Sequence, residues 1–82
     1  MAVDFEKLVL DLVTPLVIHP EDLLVKKFSE DETSITIQVL VNQEDLGRVI
    51  GRGGRIANAI RTIAYAAASR LGKKVSIDID SF

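Results

Sequence analysis

Residues 48–55, Arg-Val-Ile-Gly-Arg-Gly-Gly-Arg, concentrate the residue types in this 82-residue chain that suit binding chemistry. Gly51, Gly53 and Gly54 fall within four positions, with Arg52 among them and Arg48 and Arg55 on either side. Glycine reaches backbone conformations closed to other residues and leaves no Cβ between main chain and ligand. A helix beginning directly after such a loop offers unpaired amides and the positive end of its dipole to a phosphate. Arginines add charge-assisted bonds to the phosphate oxygens. Neither nucleotide-cofactor loop fits: from Gly47, Arg52 stands where a Walker A loop needs its second glycine, and from Gly51 and Gly53 the third dinucleotide glycine falls on Ile56. The plain alternative is a helix–loop–helix turn whose glycines only relieve crowding. The arginines in and beside the loop, the helix start after it and acid-free flanks weigh against that.

The elements that must hold this loop follow from periodicity. Phe5, Leu8, Val9, Leu12, Val13 and Leu16 recur at helical spacing, predicting an amphipathic helix over 3–18 that Pro15 ends or kinks. His19-Pro20-Glu21-Asp22 reads as a loop, residues 23–28 as a strand and Ser29 to Thr33 as a polar turn. Ile35, Ile37, Val39 and Val41 alternate with Thr36, Gln38, Leu40 and Asn42, a period-two strand that pairs with the preceding one as a hairpin. Asn42 to Asp45 supply capping residues for a short helix, Asp45 to Ile50. After the glycine loop a long helix spans Arg55 to Leu71, with Gly72 as its stop. Ile56, Ile60, Ile63, Ala67 and Leu71 form its expected core face, opposite Asn58, Thr62, Tyr65 and Ser69. Val75, Ile77 and Ile79 then alternate with Ser76, Asp78 and Asp80 in a last strand. The sum is a two-layer α+β domain filling residues 1–82.

Charge is divided along the chain. Arg48, Arg52, Arg55, Arg61, Arg70, Lys73 and Lys74 stand in residues 46–77 without an acid, whereas residues 1–45 hold three lysines against ten acids, and the net charge is −2. Fields decay over about 8 Å at physiological ionic strength, so a ligand meets the basic patch rather than the total. The chain has no cysteine, so neither a disulfide nor a thiolate metal site is expected. His19 is the sole histidine and reads as a loop residue; Glu30-Asp31-Glu32 reads as solvated, and Asp78 and Asp80 as facing solvent. With no nucleophile–base pair and no metal spacing, the expectation is no enzyme, no cofactor and no metal. Apolar residues make up 48% of the chain, ample for a core. A domain this short buries only about 60% of its unfolded surface, so association is one route to stability. Its apolar runs fall well short of the roughly 20 residues that span a bilayer. The opening Met-Ala-Val-Asp-Phe-Glu is acidic where a leader is basic, so the expected location is the cytoplasm, with no membrane partner.

On the stretch Val-Ile-Gly-Arg-Gly-Gly-Arg-Ile-Ala-Asn-Ala-Ile, the chain resembles the KH domain, whose loop pattern is Ile-Gly-X-X-Gly-X-X-Ile. Ile50, Gly51 and Gly54 fit; the second isoleucine, due at Ala57, stands one place early as Ile56. A helix and a strand precede the strand–helix–loop–helix–strand core, as in the type II arrangement, and the length resembles the small bacterial KhpA-type proteins. The resemblance implies an α-β-β-α-α-β order, with a three-stranded sheet covered on one face by three helices. It implies that single-stranded RNA of about four nucleotides is gripped by Gly51, Arg52, Gly53 and Gly54, flanked by Arg48 and Arg55. Val49 and Ile56 either offer apolar surface to bases or belong to the core; Lys73 and Lys74 either approach the RNA from another side or lie in a solvated turn. Gly53 departs from members that carry a basic residue there. The implied role is an RNA chaperone or post-transcriptional regulator. Pairing is implied too, as a homodimer or as a heterodimer with a larger KH-containing protein. The alternative is a dimeric protein-interaction module whose glycine loop no longer binds RNA. Six alanines on the long helix suit close helix approach, and suit helix propensity equally.

Overall fold

Phe5, Val9 and Val13 form a buried stripe along α1 (Phe5–Val13), whose N-cap Asp4 accepts from the Lys7 amide. The structure, a computed structural model, describes residues 3–82; Met1 and Ala2 of the acidic opening lie outside the described residues. α1 is shorter than the span 3–18. Pro15, lacking an N–H, sits at the start of a separate 3-10 turn, Thr14–Leu16, so the chain leaves the helix where proline dictates. A second 3-10 turn, Pro20–Asp22, leads into β1 (Leu24–Glu30).

β1 pairs antiparallel with β2 (Ser34–Val41), confirming the hairpin, and the polar turn contracts to three residues. Asp31 closes that turn: its Oδ1 accepts from the Thr33 amide at 2.7 Å and the Ser34 amide at 2.8 Å, which holds its carboxyl below the usual carboxylate range. Ile35, Ile37, Val39 and Val41 of β2 are all buried on one side, as the alternation requires. Asn42 caps α2 (Gln43–Ile50) by accepting from the Glu44 amide. A 3-10 turn, Arg52–Gly54, then leads into α3 (Arg55–Ser69).

α3 ends at Ser69, two residues short of the expected Leu71, and Gly72 closes the turn after it: its φ of +70° lets the Lys73 amide reach back to the Ala68 carbonyl at 3.0 Å. The chain then enters β3 (Lys74–Ser81), which runs parallel to β2. The sheet order is β1-β2-β3, and the three helices pack on the face carrying Ile35, Ile37, Val39, Val75 and Ile77. Asp78 and Asp80 are exposed on the other face.

One expectation fails. α3 buries Ala57, Ile60, Ala64 and Ala68, while Ile63 and Leu71 remain 46% and 44% exposed. At about 100° per residue, the buried face is turned by roughly 60° from the isoleucine stripe. Alanines let α3 lie close on the sheet, and close contact along the whole helix outweighs burying two larger side chains.

Candidate nucleic-acid interface

The loop between α2 and α3 is shaped by glycine at three points. Gly51 has φ +76° and ψ 171°, and a Cβ there would lie 2.7 Å from Ile56 Cγ1 and 2.9 Å from the Ile56 amide nitrogen. Ile56, the isoleucine one place early, therefore packs across Gly51, while Ala57 takes the buried position. Gly53 and Gly54 are both left-handed, at φ +65° and +83°. The Gly54 amide bonds to the Gly51 carbonyl, and the Arg55 amide bonds to the Arg52 carbonyl. The amides of Arg52 and Gly53 belong to exposed residues.

Arg48, Arg52 and Arg55 surround these amides as exposed residues. The five ion pairs among the described residues engage lysines and His19 but no arginine, so the guanidinium groups beside the loop have no acidic partner. Val49, by contrast, has no exposed surface, which resolves its two alternatives in favour of the core.

Between the C-terminal half of α3 and the start of β3 lies a hollow lined by Tyr65, Ser69, Lys73, Lys74, Val75 and Ser76. β3 is an edge strand. The amides of Lys74 and Phe82 turn to β2-side carbonyls of Thr33 and Val41, so even positions face β2. Val75, Ile77 and Ile79 consequently turn their backbone groups to the open edge. Arg61 reaches across from α3, and its Nε and Nη2 donate to the Ile77 carbonyl at 3.2 Å and 3.1 Å.

Lys74 is exposed at the mouth of this hollow, whereas the Lys73 ammonium lies 2.6 Å from Glu30. Glu30 also accepts from Lys27 at 2.7 Å, and the two lysine bonds draw its carboxyl down to about 2. The Glu30-Asp31-Glu32 run is exposed, as expected, and Glu30 and Asp31 in addition make local bonds. Sequence reasoning placed Tyr65 and Ser69 on a polar face but not the hollow they line with the start of β3. The signal was the four-residue spacing of Arg61, Tyr65 and Ser69, which acquires meaning only once β3 is known to lie beside that face.

Asp45, which was read only as a helix-start residue, is fully buried. Its two oxygens accept from the backbone amides of Ile18 and His19, each at 2.9 Å, so it ties the linker after α1 to the helix that carries the loop. The His19 ring lies with its nitrogens 3.4 Å from the carboxylates of Glu21 and Glu44. His19, Glu21 and Asp22 bring potential ligand atoms within 4.8 Å of one another, a grouping that the separate readings of these residues did not anticipate.

Comparison with known proteins bears on this geometry. The family described as KhpA/KhpB, KH domain, matches residues 6–79. RNA-binding protein KhpA of Listeria monocytogenes is 50% identical over 90% of this chain and 96% of its own length. The Clostridium perfringens protein of that name is 45% identical over 90% and 97%. The one from Bacillus subtilis is 43% identical over 90% of each.

Proposed function

Since the chain belongs to the KH-domain family of KhpA and KhpB, with the extra helix and strand before its core as in type II, we propose that it binds single-stranded RNA through the loop Gly51–Gly54 and the hollow between α3 and β3. The observation that carries this reading is an exposed loop of positive-φ glycines set among three exposed arginines that make no ion pair among the described residues. The loop amides and the Arg48, Arg52 and Arg55 side chains hold the sugar–phosphate backbone. Bases lie along the hollow, with Tyr65 as a stacking surface and Lys74 at the distal end. A KH site of this kind takes about four unpaired nucleotides. The grip is short and weak, which suits an RNA chaperone or post-transcriptional regulator acting in the cytoplasm. The family is one of RNA-binding proteins rather than enzymes. Among the described residues no helix is long and apolar enough to cross a membrane.

Pairing supplements the grip. Ile63 on α3 and Leu71 in the turn after it are exposed, and Leu71 lines a shallow hollow with Val3, Ala67 and Arg70. A second KH chain packed on this narrow face covers that apolar surface and joins two four-nucleotide sites, raising avidity through effective concentration. Light scattering of the isolated chain reads the homodimeric form of that pairing.

Anisotropy titration of a labelled single-stranded decamer tests the clamp. With roughly three phosphates engaged, affinity falls ~20-fold between 50 and 200 mM salt. The double variant Arg52→Asp, Gly53→Asp keeps its circular dichroism spectrum, because a Cβ at Gly53 meets nothing within 4 Å. It loses binding, because two carboxylates repel the phosphates. Equal binding by parent and variant defeats the clamp and leaves the interaction-module alternative.

A further inference from the structure

Arg61 is committed at one edge and open at the other. Its guanidinium carries five N–H donors in a rigid fork. One from Nε and one from Nη2 are spent on the Ile77 carbonyl, at 3.2 Å and 3.1 Å. The remaining donors, on Nη1 and Nη2, have no protein acceptor among the described residues, and no carboxylate lies within ion-pair distance of the group. Two of these donors point parallel along the far edge of the planar fork. Arg61 is only partly exposed, and it stands one turn of α3 before Tyr65, between the glycine loop and the distal hollow.

This arrangement changes what the strand edge can read. An open Ile77 carbonyl is an acceptor and would favour bases presenting an amino group. Arg61 covers that acceptor and substitutes a pair of parallel donors held by the backbone itself. Because the side chain is seated on a main-chain atom, the donors are pre-positioned rather than free to follow any phosphate. Arg48, Arg52 and Arg55, without such a seat, differ in this respect.

Resting on the single-stranded RNA reading above, we propose that Arg61 is a specificity-determining residue that selects a base with two adjacent acceptors. Guanine offers O6 and N7, and cytosine offers O2 and N3. Adenine sets its amino group beside N7, and uracil carries a proton on N3, so each places a donor against one of the two arginine hydrogens. The preference is for guanine or cytosine over adenine or uracil at the nucleotide beside Ile77.

Single-stranded C10 and U10 make the cleanest comparison, since charge and ring size are equal and only the edge pattern differs. A10 and a U-rich decamer with three spaced guanines complete the set. By anisotropy the parent binds C10 and the guanine-bearing RNA about ten-fold more tightly than U10 or A10, in line with one bidentate contact. Arg61→Gln brings the four affinities together. Arg61→Lys, which keeps the charge but offers a point donor, retains overall affinity yet reduces the C10 to U10 ratio to about two-fold. It also serves as the test if the glutamine variant unfolds. Equal binding of C10 and U10 by the parent, or an unchanged ratio in the lysine variant, overturns the role of Arg61. Failure of the parent to bind any of the four overturns the RNA reading beneath it.

Discussion

Replacing Asp45 by alanine removes the acceptors that fix the linker after α1, and the cost can be worked from the structure. Both carboxylate oxygens are occupied, by the Ile18 and His19 amides at 2.9 Å each, and the residue has no exposed surface. A hydrogen bond to a charged group contributes about 1.5–3 kcal/mol net. Two effects oppose each other. Losing the carboxylate relieves the desolvation of a buried charge, which costs several kcal/mol in itself. Against this, the two amides stay in place with nothing to accept from them. The second effect prevails, because alanine fills none of the acceptor sites, and the expected loss is about 3 kcal/mol. A domain of this size has a total stability near the lower end of about 5–15 kcal/mol, so more than half is at stake. Asparagine keeps one acceptor oxygen and should lose about 1.5 kcal/mol. Urea denaturation followed by far-ultraviolet circular dichroism reads both. With m of about 1 kcal/mol/M, the alanine midpoint falls by about 3 M and the asparagine midpoint by about half as much. An alanine variant within about 0.5 kcal/mol of the parent, the scatter of ordinary surface changes, refutes the argument.

The glycines of the loop should not be interchangeable. Gly51→Ala combines a backbone region reserved for glycine with a Cβ 2.9 Å from a main-chain nitrogen, and should cost about 3 kcal/mol. Gly53→Ala, left-handed but in open space, should cost only about 1 kcal/mol; equal losses on thermal unfolding would contradict the packing of Ile56 over Gly51. Glu30 predicts a pH dependence. Its folded pKa is drawn down to about 2 by bonds from Lys27 and Lys73, from an ordinary 4.5. Its stabilising effect is therefore full above pH 4.5 and disappears as pH falls towards 2. Glu30→Gln should melt below the parent at pH 7 and converge on it in acid; a gap that persists at pH 2 counts against the Lys27 and Lys73 pairing.

What the sequence shows and what it conceals divide along local and non-local lines. β2 was legible because Ile35, Ile37, Val39 and Val41 write their own period, and the stops at Pro15 and Gly72 act on the residues next to them. The loop was legible because Gly51 to Gly54 need only their own backbone freedom to be noticed. α3 was misread at Ile63 because volume suggested a core face that close approach to the sheet does not permit, and at Leu71 because the helix ends before it, at Ser69. Asp45 was missed because its partners, Ile18 and His19, lie 27 and 26 residues earlier and bond through the main chain, which has no residue identity to read. The hollow beside α3 was missed because the start of β3, which closes it, meets Tyr65 and Ser69 only in the folded chain.

The two free edges of the sheet are each closed to a further protein strand, and the proposed RNA site lies beside one of them. On the β1 edge, the Lys27 amide is taken by Glu6 Oε2 at 2.8 Å, and the pairing register shifts between Lys27 and Ser29, so a second strand finds neither donor nor regular spacing. On the β3 edge Arg61 occupies the Ile77 carbonyl, while Tyr65 and Ser69 stand beside the strand as a wall. An incoming β-strand needs an uninterrupted ladder and clearance on both sides, and here it meets a guanidinium at the middle position. A nucleotide strand needs neither: on the proposed reading its bases enter singly and edge-on while its phosphates sit at the glycine loop. The same arginine can therefore block the pairing that leads to aggregation and leave open a slot of the shape that an unstacked base requires.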